Sequence, residues 1–497
     1  MATSSQKIAS GVFWSILTNI VGAIYSFITV PILLNYFGKA EYGLIGLAGS
    51  VNVYMGLLDM GLGTTNARFY ANWISNGKLD ETRKLFSTSL SFYGVVGLLN
   101  GLILAVIAIF ADKFFNVSPE QCSILRHLLS VLVISSVISW MFSSLNQIIY
   151  ADENVAWMKK RDLLMKIYSI AVLFATVYLK LSIEMFFVLS TFSFLILAPV
   201  NVNKIRKDFS FISFIPGFDK TTFKSILPYS LSIFSFGLFQ FFFKNIGPVF
   251  LGMRGTVEMV ADYRIMGGIV GIVSMVTGVF MGSMLPSTYK AVAKHNQEAK
   301  DKLAYDGTKY VTIALCFCAF GMMCVSSDLL CLYVGEGYLY LTSILNLWLL
   351  TTIGGHTAGV ASLVMAGTDV KPLAYMSAVS SFTGLALTWF LIPYYGVDAT
   401  VYALFVYTFL QTLFFYVYFM KAKLEINPRI VFRCFIPYTI AGGVAFFFVQ
   451  LWNFSDLHLL NIFLKGCLFS LIYFTAVYVL LSKSDIIYLK KMVHIKD

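Results

Sequence analysis

Long uncharged stretches recur along this 497-residue chain and dominate its pattern of polar and apolar positions. The first runs from residue 8 to residue 38 without a single Asp, Glu, Lys or Arg. About 20 apolar residues in a helix span the roughly 30 Å hydrocarbon core of a bilayer. The pattern therefore predicts an all-α polytopic membrane protein. Further uncharged stretches are 85–111, 185–203, 265–289, 337–368, 372–397, 399–420 and 434–455.

About fourteen transmembrane helices are predicted from these stretches and from the apolar segments between them. Porin strands are excluded, because they would alternate apolar and polar residues over segments of about ten residues. The predicted spans are 8–34, 42–70, 86–110, 124–150, 163–179, 184–203, 225–251, 257–288, 310–330, 341–366, 373–393, 396–420, 433–451 and 461–482.

An internal repeat divides the first twelve spans into two groups of six. Because six is even, both groups begin on the same side, so a parallel repeat about an axis along the membrane normal is predicted. The predicted domains are a six-helix lobe at 1–204, a cytoplasmic linker at 205–224, a second six-helix lobe at 225–420, and a further helix pair with a tail at 421–497. The repeat rests on residues spaced 217 positions apart: Pro31, Leu34, Gly38 and Glu41 recur as Pro248, Leu251, Gly255 and Glu258.

Pro31 and Pro248 occupy equivalent positions in this repeat. Each is either a kink or the end of a span, as proline in a helix commonly is. The alternative is a functional hinge that lets the outer ends of spans one and seven bend. Two equal lobes with such hinges favour a transporter in which one lobe rocks against the other.

The composition agrees with a membrane protein, and the charge distribution gives its orientation. Apolar residues make up 58% of the chain and charged residues 12%, with a net charge of +11. Of the 36 basic residues, 26 fall on one side of the predicted membrane, five on the other and five within spans. This bias predicts that both termini are cytoplasmic. The same bias accounts for the net positive charge of the chain, so nucleic-acid binding is not needed to explain that charge.

Ionisable residues inside the spans are the main candidate functional residues, because such groups are costly in a bilayer. Lys244 lies in span seven, and Asp262 and Arg264 lie at a similar depth in span eight. A Lys244–Asp262 ion pair is one expectation. It would leave Arg264 unpaired and free to face a cavity, because residues two apart on a helix point in different directions.

Three other positions carry hypotheses. Asp59 and Arg68 would lie on opposite faces of a straight span two, but the sequence Gly61-Leu62-Gly63 could break that helix. Arg68 either contacts a substrate or snorkels to the interface. His356 in span ten is either a neutral packed residue or a group that couples ion flow to transport. Basic residues outnumber acidic ones inside the spans, which favours an anionic cargo.

No enzymatic or metal-binding pattern is evident. The sequence contains no Walker A motif, no nucleophile elbow and no cluster of metal ligands. The predicted outer loops are short, so they offer little room for an active site. We expect a protein that is not an enzyme and needs no cofactor, with energy from a proton or sodium gradient or from the substrate.

The first 90 residues resemble the opening of bacterial polysaccharide flippases. The resemblance is carried by Gly11-Val-Phe-Trp-Ser, by Pro31-Ile-Leu-Leu-Asn-Tyr-Phe-Gly38-Lys-Ala-Glu41-Tyr-Gly43, and by Leu57-Leu-Asp59-Met-Gly61-Leu-Gly63 with Arg68. These Wzx-type proteins share a superfamily with multidrug extruders of the MATE class. The resemblance implies a MATE-like pair of six-helix bundles. It also implies an undecaprenyl-diphosphate-linked oligosaccharide as the cargo.

The sequence-based hypothesis is thus a flippase of the bacterial inner membrane that carries a repeat unit of O-antigen, lipopolysaccharide or another surface polysaccharide. Lys244, Arg264 and Arg68 would contact the anionic head, and Asp59 and Asp262 would balance or gate these charges. The expected partners are membrane lipids, a polysaccharide polymerase and chain-length proteins. The alternatives are a MATE-type drug exporter and, with less support, a membrane glycosyltransferase or polymerase.

Overall fold

The protein is helical throughout the residues that its computed structural model describes, 4–151, 155–293, 297–365, 371–482 and 485, and these ranges contain no β-strand. Short 3-10 turns at Gly56–Asp59, Glu336–Leu341 and Ile353–Thr357 and a π turn at Phe415–Phe419 join some of the helices. The helices are α1 (Ser4–Phe37), α2 (Lys39–Met55), α3 (Leu62–Ser75), α4 (Leu79–Ile109), α5 (Ala111–Phe114), α6 (Pro119–Ala151), α7 (Val155–Tyr178), α8 (Ile183–Thr191), α9 (Phe194–Asp208), α10 (Lys220–Arg254), α11 (Val257–Ala293), α12 (Gln297–Cys324), α13 (Ser326–Val334), α14 (Thr342–Thr352), α15 (Ala358–Met365), α16 (Lys371–Tyr395), α17 (Asp398–Phe414), α18 (Met420–Lys423), α19 (Pro428–Gln450) and α20 (His458–Leu480).

The membrane-spanning character of the chain is clear from these helices. Within the described ranges, eleven helices are long and apolar enough to cross a membrane, and the bent pair of α2 and α3 raises the number to twelve. All fourteen predicted spans lie on helices, but α7 and α10 are not among the twelve. The prediction of an all-α polytopic protein is confirmed. The number fourteen and the parallel repeat stay predictions.

Span two is broken, as the glycines at 61 and 63 suggested. Helices α2 and α3 meet at an angle of 47°. Between them, Met60 and Gly61 adopt left-handed backbone conformations, with φ of 50° and 75°. Glycine tolerates this region without steric cost. The local sequence therefore favours the break. As a result, Asp59 lies at a turn rather than within a continuous helix.

The chain separates into two compact units. The first comprises Met1–Ile265 and Thr388–Val397, and the second comprises Met266–Leu387 and Asp398–Asp497. In the first unit, large side chains such as Tyr70, Phe86 and Tyr93 form a buried core. Helix α10 and the start of α11 belong to this unit. The predicted lobes at 1–204 and 225–420 were defined by sequence repeats rather than by contacts, and they stay a prediction.

Neither repeat proline ends its helix. Pro31 lies inside α1, which ends at Phe37, and Pro248 lies inside α10, which ends at Arg254. Both helices thus continue for six residues beyond the proline, and their ends are again 217 residues apart. Each proline removes one backbone hydrogen bond from its helix. A kink or a hinge at these positions stays a prediction.

Candidate functional site

Asp262 forms an ion pair in the first unit with Lys39. The Lys39 Nζ lies 2.7 Å from Oδ1 and 3.0 Å from Oδ2 of the Asp262 carboxylate. Lys39 is the first residue of α2, and its side chain reaches Asp262 in the second turn of α11. The expected pair of Lys244 and Asp262 is therefore wrong. Lys39, which lies between the predicted spans 8–34 and 42–70, neutralises the carboxylate instead.

Arg264 has an aromatic ring rather than a carboxylate as its neighbour. Its guanidinium carbon lies 4.7 Å from the centre of the buried Tyr42 ring, a cation–π contact. The side chain also packs against the backbone of Gly46, where an added Cβ would lie 2.3 Å from the arginine Cδ. Within the described residues, its buried Nη1 has no hydrogen-bond partner. The cation is thus held in place but not neutralised.

Lys244 lies on α10 in an aromatic environment. It follows Phe241 and Phe242, and both rings contact Tyr54 of α2. The Tyr54 hydroxyl also donates a hydrogen bond of 2.7 Å to the carbonyl oxygen of Phe242. The Lys244 side chain is exposed, and no carboxylate pairs with it in the described part of the chain. No acidic side chain among the described residues therefore neutralises this lysine.

Arg68 is the third candidate cation, and it is also stacked on a ring. Its guanidinium carbon lies 4.3 Å from the centre of the Tyr229 ring on α10. The Arg68 side chain is exposed on α3, whereas Tyr70, two residues later on the same helix, is buried. Among the residues described, no carboxylate lies within ion-pairing distance of it. Arg68 therefore joins α3 to α10 without losing its charge.

Asp59 has a local structural role at the break between α2 and α3. Its carboxylate accepts the backbone N–H of Gly63 at 3.1 Å, near the start of α3. It also accepts the Tyr93 hydroxyl at 2.5 Å. Tyr93 in turn accepts a hydrogen bond from Gln147, and Gln147 accepts one from Asn66. Asp59 thus anchors a polar network among α3, α4 and α6.

These contacts bring out a common property of the first unit. Its candidate carboxylates, Asp59 and Asp262, are occupied by protein groups, whereas its candidate cations lack carboxylate partners. Arginine and lysine in this state bind phosphate through charge-assisted hydrogen bonds. The arrangement is suited to an anionic group. Lys244, Arg264 and Arg68 stay predictions as substrate contacts.

His356 belongs to the second unit and lies in the 3-10 turn between α14 and α15. The residue is buried, and its ring stacks on Phe435 with centroids 3.9 Å apart. Nδ1 lies 2.9 Å from the carbonyl oxygen of Ile353, and Nε2 lies 2.8 Å from the Tyr416 hydroxyl. A carbonyl can only accept, so Nδ1 carries the proton and the neutral ring accepts from Tyr416. The contacts favour a packed, neutral histidine, and ion coupling stays a prediction.

Three contributors to this site were missed by sequence reasoning. They are Lys39, Tyr42 and Gly46, which lie on one face of α2 at intervals of three and four residues. The one available signal was the pair of small residues Gly43 and Gly46, since small residues let membrane helices approach closely. At Gly43 an added Cβ would lie 2.0 Å from the Val257 carbonyl oxygen, so α2 and α11 are indeed tightly packed there.

Metal-binding clusters are absent from the described ranges, in that no group of three or more His, Cys, Asp or Glu residues could hold an ion. The expectations of no cofactor and of coupling to a proton or sodium gradient stay predictions.

Comparisons with known proteins identify both sequence and fold relatives. The sequence model of a family described as polysaccharide biosynthesis protein matches residues 8–292. No curated protein matches the sequence significantly. A structure titled lipid II flippase MurJ, inward closed conformation, superposes with a TM-score of 0.76 at 13% identity, covering 96% of this chain and 100% of that one. An inward-facing MATE family multidrug transporter of the MOP superfamily gives 0.57 at 15% identity, covering 79% and 92%. The MATE transporter DinF-BH gives 0.52 at 13% identity, covering 84% and 96%.

Proposed function

The chain belongs to the polysaccharide biosynthesis protein family, and from this premise we propose that it is a flippase for a lipid-linked oligosaccharide. Its cargo is an undecaprenyl-diphosphate-linked repeat unit of O-antigen or another surface polysaccharide. It moves the sugar and diphosphate head from the inner to the outer leaflet of the bacterial cytoplasmic membrane by alternating access, with both termini in the cytoplasm. The multi-pass fold shared with MurJ and MATE structures is consistent with such transport.

The observation that carries this proposal is the set of cations in the first unit. Lys244, Arg264 and Arg68 are basic residues without a carboxylate partner in the described part of the chain. A diphosphate offers several acceptor oxygens, and Arg binds such groups through two parallel N–H bonds. A neutral glycolipid would leave these cations uncompensated in a medium where unpaired charge is costly.

The competing function is a MATE-type exporter of cationic drugs. Such a cargo would require carboxylates that are open to it. Asp262 is instead paired with Lys39, and Asp59 with Gly63 and Tyr93. The contacts of the first unit therefore favour an anionic cargo. A polymerase or glycosyltransferase has no structural observation in its favour.

Single replacement of Lys244 and of Arg264 by Ala tests the proposal. We expect surface polysaccharide to fall in each variant at matched protein levels, because a charge-assisted contact to the head is lost. Arg206→Ala is the control, since Arg206, like Arg264, is an arginine stacked on a ring, that of Phe214, but it is exposed. Normal export in both variants would remove these residues from the mechanism.

Deletion of the gene separates the candidate functions. A flippase defect leaves lipid-linked repeat units facing the cytoplasm, whereas a polymerase defect leaves single units on the outer leaflet. Drug sensitivity with intact surface glycan would support the exporter instead.

A further inference from the structure

One face of α2 meets two oppositely charged residues of α11. Lys39, Tyr42 and Gly46 lie along this face at positions i, i+3 and i+7. Lys39 contacts Asp262, and both Tyr42 and Gly46 contact Arg264. An acid and a base only two residues apart on α11 therefore reach the same neighbouring helix, but they have different partners there.

Lys39 keeps a buried carboxylate neutralised. The Asp262 side chain is only 6% exposed, and a buried carboxylate without a cation is strongly disfavoured. If Lys39 lost its charge, the Asp262 carboxylate would be left without its cation. It would then repel an anion bound at Arg264, which lies two residues away along α11 and whose buried Nη1 has no hydrogen-bond partner among the described residues.

The three charges have no charged counterparts in the sequence repeat, in which Lys39 belongs to the first predicted lobe and Asp262 and Arg264 belong to the second. The positions 217 residues away from Lys39, Asp262 and Arg264 are occupied by Thr256, Ile45 and Leu47, none of which is charged. The arrangement is therefore not a general feature of how the two halves pack. A set of charges that appears only once is more consistent with a specific binding role.

We propose that Lys39 is a positioning residue: by neutralising Asp262, it keeps that carboxylate from repelling the diphosphate head of the cargo, which the guanidinium of Arg264 binds. This inference rests on the proposed function. Tyr42 and Gly46 complete the arrangement, since the ring supports the guanidinium and the absent Cβ gives its side chain room. Lys39 itself does not contact the anion.

Charge removal and restoration test this role directly. The purified protein and its variants are titrated in detergent with farnesyl diphosphate, a short prenyl diphosphate used as the probe. We expect Lys39→Gln to weaken binding about tenfold, because the uncompensated Asp262 carboxylate then repels the anion bound at Arg264, two residues away along α11. Lys39→Gln/Asp262→Asn should regain most of the affinity, and Lys39→Arg should retain it.

The outcomes separate this inference from the proposed function. If the unchanged protein does not bind the probe, or if Arg264→Ala binds it normally, the anion site itself is contradicted. If Arg264→Ala weakens binding but Lys39→Gln does not, only the role of Lys39 is overturned. Equal loss in Lys39→Gln and in the double variant would also overturn it, because Lys39 would then contact the anion directly.

A pair of glycine substitutions provides a second test that leaves every charge in place. Gly46→Ala should weaken probe binding, because its Cβ would displace Arg264. Gly49→Ala on the same helix is the control, since its Cβ would have no described neighbour within 4 Å. Equal affinity in the two variants, with thermal stability measured for both, would contradict the placement of Arg264.

Discussion

Lys465 in the second unit meets a carboxylate, whereas Arg264 in the first unit meets a tyrosine ring. The Lys465 Nζ lies 3.1 Å from Asp328, which also accepts hydrogen bonds from Asn461 and contacts His458. The guanidinium of Arg264 has no such partner in the described part of the chain. A buried charge that is fully paired holds helices together, and one that is left open can bind a ligand.

The Lys465–Asp328 pair fastens the last helix to the rest of the second unit. It joins α13 to α20 near the start of α20, and Lys309 pairs with Asp485 just beyond the other end of that helix. Between these two pairs, the Tyr473 hydroxyl donates to the carbonyl oxygen of Ile313 on α12. The charged residues near the two ends of α20 therefore have a structural role, because they pair with each other.

Removing one partner of the Lys465 pair should give the largest effect on stability. We expect Lys465→Met to lower the free energy of unfolding by about 3 kcal/mol, because it leaves the Asp328 carboxylate buried and uncompensated. Thermal unfolding of the purified protein in detergent would measure this. The double variant with Asp328→Leu should regain much of the loss. A Lys465→Met protein as stable as the unchanged one would remove the distinction between the two units.

Removing Arg264 should have the opposite signature. We expect Arg264→Met to reduce export about tenfold or more, through loss of a charge-assisted contact to the cargo. Its thermal stability should change little, since no ion pair is broken. Surface polysaccharide at matched protein levels, measured beside the melting curve, gives both quantities. A large loss of stability with normal export per folded molecule would assign Arg264 to packing.

Tyr416→Phe tests the histidine of the second unit and should have a smaller effect. The variant removes the hydroxyl group from which His356 accepts a hydrogen bond. We expect this to lower the free energy of unfolding by about 1 kcal/mol. The response of transport to an imposed pH gradient should be the same in the variant and in the unchanged protein. Loss of that response, with the protein still folded, would instead support the role of His356 in ion coupling.

The weakest predicted effect concerns Asp485, which follows the last helix. Burial raises the pKa of this carboxyl, but hydrogen bonds from Lys309 and Ser482 outweigh burial and hold the pKa below its ordinary value. Its contribution to stability is therefore complete above the ordinary Asp pKa of about 3.9 and is lost as the pH falls through the lowered pKa. Asp485→Asn should melt slightly below the unchanged protein at pH 7, with the difference shrinking below about pH 4. A difference that grows on acidification would contradict this assignment.

Some of these features could be predicted from sequence because they are local. Hydropathy and length placed the spans on helices, and the glycines at 61 and 63 predicted the break after Asp59. The candidate cations could be chosen from sequence because a charged side chain inside a membrane span is energetically costly. That cost depends on where the residue lies along the span, which the sequence shows.

The partners of those charges could not be predicted in the same way. Pairing Asp262 with Lys39 depends on how α2 and α11 are rotated against each other, which side-chain packing decides. Lys39 falls between the predicted spans 8–34 and 42–70, although it begins a helix. The partner of Arg264 is an aromatic ring, so a search for acidic residues would not have found Tyr42.

Flipping by the purified protein in liposomes tests the central claim most directly. A polyprenyl-diphosphate-linked oligosaccharide is placed in one leaflet, and its arrival in the other is followed. If these three cations bind the diphosphate head, replacing Arg68, Lys244 and Arg264 together by Ala should abolish movement of the lipid between leaflets. Replacing Lys113 and Arg206, two exposed cations that are also stacked on rings, should preserve it. Movement at the unchanged rate in the triple variant would contradict the proposed role of these cations in transport.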